Sequence, residues 1–189
     1  ADVERNEQVA PLFYLHRRIA PDTGGAGRQR GGCSAEVALT LGGIEQADSL
    51  IMTHGAEVPN AAGLSGGWPG STVKQRLGRN AISLGIEQAD GSWTDLGPKP
   101  GLIGMTNKDV FAVTWQGGGG WGDPLERDLD DVRRDVEIAA ISSEAADAIY
   151  GAEEDRRYVS RSHLLKMLAH EYNLLIERIS DTRPKNTTF

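Results

Sequence analysis

The run Trp115-Gln-Gly-Gly-Gly-Gly-Trp-Gly-Asp-Pro-Leu-Glu-Arg-Asp128 separates two differently patterned halves of the chain. Upstream of it, apolar residues alternate with polar ones and glycines recur in clusters. Downstream, apolar residues recur every three or four positions and glycine almost vanishes. Four consecutive glycines are costly to order, since glycine gives up more backbone freedom on folding than any other residue. A sequence keeps such a run where φ must be positive or where two backbones must approach closely. Trp115 and Trp121 at its ends argue against a loose linker, because Gly/Ser linkers carry no large apolar anchors. The run reads as an ordered loop at a junction. The expected fold class is α+β, with a β-rich, glycine-looped module over residues 1–127, C-terminal helices over 128–181 and a tail over 182–189.

Toward the N-terminus, residues 8–20 carry Val9, Leu12, Phe13, Tyr14, Leu15 and Ile19 and end at Pro21, which predicts a strand in preference to a short helix. Asp22 to Gly32 is a glycine-rich loop bearing Arg28 and Arg30. Cys33 to Leu41 alternates cleanly and predicts a strand. Short strands are expected at 49–53, 73–77, 81–86 and 102–105, and a better one at 109–115 with Phe111, Val113 and Trp115 on one face. Pro59 to Gly70 is a second loop, anchored by Leu64 and Trp68. Toward the C-terminus, Asp128 caps a helix whose Val132, Val136 and Ala139 share a face. Ser142 caps the next, which Gly151 ends. Ser160 or Ser162 opens the longest helix, whose stripe of Leu164, Leu168, Tyr172, Leu175 and Ile179 reads as a packing surface for the β part or a partner subunit. The hexapeptide Gly-Ile-Glu-Gln-Ala-Asp occurs at 43–48 and 85–90, too short an echo for a repeat architecture.

Composition narrows the function classes. The chain has 189 residues and a formal net charge of −7, so it lacks the basic field that phosphate backbones require, and nucleic acid is not expected as a partner. Its 24 glycines are nearly twice the usual share of about 7%. A single Cys33 allows no internal disulfide and gives no zinc-ligand spacing, which points to a reducing, cytoplasmic setting and no metal in this chain. No run of some eighteen apolar residues and no charged-then-apolar leader is present, so neither a membrane span nor a signal peptide is expected. The small first residue, Ala1, fits removal of an initiator methionine and keeps open an independently encoded subunit.

The chemistry-bearing residues leave alternatives open. Gly117-x-Gly119-x-x-Gly122 follows a predicted strand and formally fits a dinucleotide fingerprint, but no helix opens at once behind it and no βαβ unit surrounds it. A Gly-x-x-x-x-Gly-Lys-Ser/Thr loop is absent from the sequence, so ATP is not expected to bind within this chain. Arg28 and Arg30, in a loop of exposed amides, suit a carboxylate or phosphate; the alternative is that Asp22 pairs with one of them to brace the loop. Asp123, Glu126 and Asp128 offer carboxylates for acid/base work, against Asp123-Pro124 fixing a turn and Asp128 capping a helix. His54, in a loop beside Gly55, is a candidate general base, against a structural histidine at a strand end. His163 and His170 are seven residues apart, too far to share a metal. The candidate catalytic residues are therefore His54 and Asp123, and the candidate substrate-binding residues are Asp22, Arg28, Arg30, Trp68 and Trp121.

Three blocks carry a resemblance in the expected order. Val3-Glu-Arg-Asn-Glu7 leads to Pro21-Asp-Thr-Gly-Gly-Ala-Gly-Arg28-Gln-Arg30-Gly-Gly32; then come Gly63-Leu-Ser-Gly-Gly-Trp-Pro-Gly70 and Gly117-Gly-Gly-Gly-Trp-Gly-Asp-Pro-Leu-Glu-Arg-Asp128. Together they resemble the C-terminal part of the hydantoinase B/oxoprolinase family, with Thr23 where that family has serine. The resemblance implies a B-type subunit of an ATP-dependent cyclic-amide hydrolase, inactive alone. It implies a hydantoinase A-type partner that holds ATP and Mg, together with the N-terminal part of the B-type subunit. A ketone carboxylase of the acetone or acetophenone type is the alternative within the same superfamily, and a non-catalytic assembly subunit is the alternative outside it. The chain departs from the family pattern at Thr53-His54-Gly55 and at Asn107-Lys108-Asp109, both near positions that could touch substrate.

Overall fold

A computed structural model describes residues 2–84 and 93–152 of the chain. The expected helix over 160–179, His163 and His170, the tail and the second hexapeptide copy lie outside the described residues. The remainder is α+β as expected. Helix α1 (Val3–Val9) precedes strands β1 (Leu12–Ala20), β2 (Ser34–Leu41), β3 (Gln46–Ile51) and β4 (Lys74–Gly78). Helix α2 (Ala81–Leu84), strands β5 (Trp93–Asp95), β6 (Gly101–Thr106) and β7 (Val110–Thr114), a 3-10 turn (Pro124–Glu126) and helices α3 (Leu129–Glu137) and α4 (Ser143–Tyr150) follow.

Five strands form an antiparallel sheet in the order β1-β2-β7-β4-β5, and β3 pairs with β6 in a second, two-stranded sheet. The register of the large sheet decides where its charges stand. Arg18 pairs with Glu36, Glu36 with Thr114 and Thr114 with Lys74, so these four side chains form one row across four strands on one face. The opposite face carries Val37, Val113 and Val73, and Leu41 and Leu77 meet Met105 of the small sheet. A separate cluster of Ala26, Val132, Ile141, Ala146 and Tyr150, with Trp68 against it, joins α3 and α4 to the glycine loops.

Three expectations are corrected. Residues 8–10 are not strand: α1 ends at Val9, which is 77% exposed, and β1 begins after Pro11, a residue that disfavours helix in the one before it. The polar run Glu4-Arg-Asn-Glu-Gln8 supports the helix, and the Glu7 carboxylate accepts the Tyr14 amide at 2.8 Å, covering part of the edge that β1 forms among the described residues. Residues 81–84 are the short helix α2. Asn80, at φ 51, turns the chain out of the sheet, its amide donates to the Asp109 carboxylate at 3.0 Å, and Ala81 is fully buried. Ala139 does not share the buried face of α3, because the helix stops at Glu137 and Ala139 is an exposed residue at φ 53; Asp135 joins Val132 and Val136 there instead. The caps are as expected: Asp128 accepts from Asp130, Ser142 accepts from Ala145, and Gly151, at φ 63, closes α4.

Candidate functional site

All three glycine-rich loops leave the same end of the large sheet, and there they interlock backbone against backbone. Gly25 donates to Gly118 at 2.8 Å, Gly118 to Gly32 at 2.9 Å, Trp68 to Ala26 at 2.7 Å and Gly120 to Trp68 at 2.9 Å. Leu64 donates to Gly120, and Trp121 and Gln29 exchange both of their backbone bonds. The four glycines 117–120 have ordinary φ values, so close approach rather than a left-handed backbone explains them. A Cβ on Gly119 would overlap the Ala62 carbonyl, and one on Gly120 the Ala26 carbonyl.

A charge clamp fastens this interlock to the helices. Arg30 grips Asp135 with two bonds, 3.0 and 3.1 Å, and Arg127 adds a third at 2.8 Å. Arg127 also donates to the Arg28 carbonyl at 3.0 Å, and Arg30 to Gly31 at 2.7 Å and to the Cys33 sulfur at 3.2 Å. The Asp135 hydrogen bond, outweighing burial, holds Arg30 more firmly protonated than a free guanidinium. Burial pushes the Tyr150 phenol up, against the neighbouring charges of Arg127 and Arg30. Asp135 is the residue that sequence reasoning missed. Its signal was an acid three positions after Val132, on the apolar face of an amphipathic helix, where a carboxylate persists only with partners.

A cleft of about 1020 Å³ opens beside the interlock, between the charged row of the large sheet and the segments around residues 56–57, 71–73 and 97–98. Asp22, Glu36, Glu57, Lys74 and Arg76 line it. Burial raises the affinity of Glu36 for its proton, but Arg18, His16 and Thr114 together reverse this and hold the carboxyl below its ordinary range. Arg76 lies 5.2 Å from the Trp93 ring. The buried Oε1 atoms of Gln75 and Gln116 find no donor among the described residues, and Gln75 lines this cleft. A smaller pocket of about 170 Å³ lies between the interlock and α4, lined by Asp22, Trp68, Ile141, Ile149 and Tyr150.

Asp22 borders both cavities. It stands at φ 58, its amide donates to the Ala140 carbonyl at 3.1 Å, and its Oδ1 accepts the Ser142 amide at 2.8 Å. Loop bracing by an Asp22–arginine pair is thereby replaced: Asp22 binds the α4 N-terminus, and Asp135 takes the arginine. Trp68 packs on the core beneath the smaller pocket. Arg28 lies 5.4 Å from the Trp121 ring and 3.8 Å from Glu126, on an exposed part of the interlock. Asp123 is exposed, and its Oδ1 accepts the Leu125 amide at 2.9 Å as the cap of the 3-10 turn. His54 is exposed in a loop pinned by Thr53 N–H to Pro98 at 3.0 Å and by Val73 N–H to Gly55 at 2.8 Å. Among the described residues no group of three or more acidic, histidine or cysteine side chains could hold a metal, and no helix is long and apolar enough to cross a membrane.

An α+β module with interlocked glycine loops, two cavities beside them and helices clamped on by a buried carboxylate defines the class. Its residues 1–124 match the model of the hydantoinase B/oxoprolinase family, and the chain belongs to that family. The acetone carboxylase alpha subunit of Xanthobacter autotrophicus is 27% identical over 173 residues, which cover 79% of this chain and 22% of that one. The caprolactamase beta subunit of Pseudomonas jessenii is 30% identical over 151 residues, covering 79% and 24%. Among solved structures, a nucleotide-free acetone carboxylase superposes with a TM-score of 0.70 at 21% identity, over 97% of this chain and 27% of that one. The ATP-dependent caprolactamase from P. jessenii superposes with a TM-score of 0.64 at 26% identity, over 80% and 25%. The chain thus spans about a quarter of the length of the relatives it matches.

Proposed function

We propose that this chain is the C-terminal portion, or a split subunit, of a B-type component in an ATP-dependent hydrolase of cyclic amides, working in the cytoplasm with a hydantoinase A-type partner. The observation that carries this reading is the 30% identity to a caprolactamase subunit across the module that holds the cleft and the interlock. ATP and Mg are assigned to the partner, which phosphorylates the amide oxygen. That step converts a poor electrophile into one with a good leaving group, open to water in a site shielded from solvent. In this scheme Asp22 and Trp68, which border the cavities, contact substrate, and His54 readies the water. Asp123 is the second acid/base candidate, through the carboxylate oxygen that the Leu125 amide leaves over. Of the remaining substrate-binding candidates, Arg30 holds the loop, since Asp135 occupies its guanidinium, and Arg28 and Trp121 lie on the exposed part of the interlock, outside the lining of both cavities.

Ketone carboxylation is the second reading, favoured by the longer 173-residue alignment with the acetone carboxylase alpha subunit. The test is phosphate release from ATP by the purified assembly, with lactams, hydantoins and 5-oxoproline compared against acetone or acetophenone plus bicarbonate. Turnover of a cyclic amide supports the first reading; bicarbonate-dependent turnover of a ketone alone replaces it. His54→Ala and Asp22→Asn separate either enzyme from an assembly subunit. Both are expected to lower kcat at least tenfold in an intact complex, and full activity of both variants would leave only the assembly role.

A further inference from the structure

Beyond catalysis, the glycine interlock presents an apolar anchor whose occupant can be named. Leu64 is 66% exposed and Trp121 45%, and a parallel β-bridge sets the two side by side. The backbone beneath them is fixed from several directions. Leu64 donates to Gly120 at 3.0 Å and accepts from Gly67 at 2.9 Å and Gly122 at 3.0 Å, while Trp121 is bonded twice to Gln29. Ser65 at φ 53 and Gly66 at φ 93 hold the turn after Leu64 in the left-handed region, a conformation that a serine keeps only where its surroundings impose it. An exposed leucine on so constrained a backbone is ordered before any partner arrives, which removes much of the entropy loss of binding. Arg28 lies over the Trp121 ring and pairs with Glu126, so the charges at the rim satisfy each other and the centre stays uncharged. Tryptophan and arginine around an apolar centre are the composition of energetic anchors, and an uncharged centre is typical of permanent interfaces.

We infer that the Leu64–Trp121 surface is the docking site for the remaining portion of the B-type polypeptide. The inference rests on the family reading above: the relatives carry more than three-quarters of their length outside the matched region. All residues of the patch except Glu126 fall within the family-matched residues 1–124, so the surface belongs to the portion that the family shares. The partner's contribution is an apolar pocket for Leu64 and a flat apolar surface for the exposed side of the Trp121 ring. Arg28 supplies donors at the rim.

The test places a photo-crosslinking benzoylphenylalanine at position 64 in the native assembly, purified through a tag on this chain, and maps adducts by peptide mass spectrometry. The expected result is a dominant adduct to the rest of the B-type polypeptide. An adduct to the A-type subunit, to a second copy of this chain or to residues 153–189, or no adduct at all, overturns the inference. As a second measurement, Leu64→Glu is expected to leave the melting temperature of this chain alone unchanged while its recovery with the assembly falls at least tenfold; undiminished recovery overturns the inference. Failure of the activity assays with the adduct present would remove the proposed reaction and leave the docking site standing, whereas an active assembly without the adduct would remove only the docking site.

Discussion

Asp135 ties the helices to the glycine loops, because it accepts from both Arg30 and Arg127. With its side chain 7% exposed, it is a buried charge whose removal leaves two guanidiniums facing each other. Taking one partner out of a buried ion pair costs about 3–5 kcal/mol, so Asp135→Asn is expected to lose about 3 kcal/mol in urea unfolding with an unchanged m-value. Arg30→Met together with Asp135→Leu should lose less, since one of the two guanidiniums that the carboxylate held together leaves with it and apolar side chains take the space. The pH dependence follows from two other carboxylates. Glu36 and Asp109 are both held below the ordinary carboxylate range; burial opposes this in both, but the Arg18, His16 and Thr114 bonds outweigh it for Glu36, and the Asn80 and Thr106 amides with Arg79 for Asp109. A carboxylate with a depressed folded pKa contributes stability that is fully present above its ordinary pKa and lost as pH falls through the folded value. Stability is therefore expected to decline below about pH 4.5, and Glu36→Gln to flatten the first part of that decline in a thermal melt series. Glu36 could not be singled out in the sequence, because it sits at an ordinary polar position of an alternating strand and its partners come from β1 and β7.

At the scale of elements, the interlock shows what glycine clusters can and cannot reveal. The sequence offered two explanations for the run 117–120, a left-handed backbone or close approach, and separated it from a linker only through Trp115 and Trp121. Close approach is the answer, and it predicts a sharp contrast between neighbouring glycines. Gly119→Ala drives a methyl into the Ala62 carbonyl, a backbone atom that cannot rotate aside, and is expected to cost about 4 kcal/mol, near the top of the range for single substitutions. Gly32→Ala meets nothing within 4 Å and keeps an ordinary φ, so it is expected to be neutral or to add up to about 1 kcal/mol by restricting the unfolded chain. Denaturant unfolding of both variants checks the pair, and equal losses would refute the close-approach account. The strands were legible where alternation was long, as at β2 and β7. At α2 it was not, because Ala81 and Ser83 mimic a strand's period while Asn80 and Asp109 turn the chain away. The three-residue β5 was missed for the opposite reason: Trp93 to Asp95 is too short to show a period, and its pairing with β4 is a tertiary fact. The sequence also named Asp22 as the brace of the arginine loop, whereas an acid 105 residues from Arg30 performs that task, a distance no local pattern can bridge.

For the molecule as a whole, the division of its core governs how it behaves alone. Among the described residues the buried apolar side chains fall into four small clusters rather than one, and Leu50, Met52, Leu64, Leu102, Trp115 and Trp121 are exposed. Leu50 and Leu102 face each other across the two-stranded sheet, whose inner side packs on Leu41 and Leu77 and whose outer side is left to solvent. A module with small cores and apolar outer surfaces is marginally stable and prone to self-association, and it gains most from whatever covers it. If the rest of the B-type polypeptide binds only the folded chain, it stabilises by mass action, about 2.7 kcal/mol at a hundredfold excess over Kd. For a chain of this size that corresponds to a rise in Tm of roughly 5–10 °C. Titrating the separately produced remainder into the isolated chain should therefore raise the Tm continuously with concentration and suppress light scattering over the same range. A concentration-independent Tm would mean that the exposed surfaces serve no permanent partner, and with it the assignment of this chain to a larger catalytic assembly would lose its physical basis.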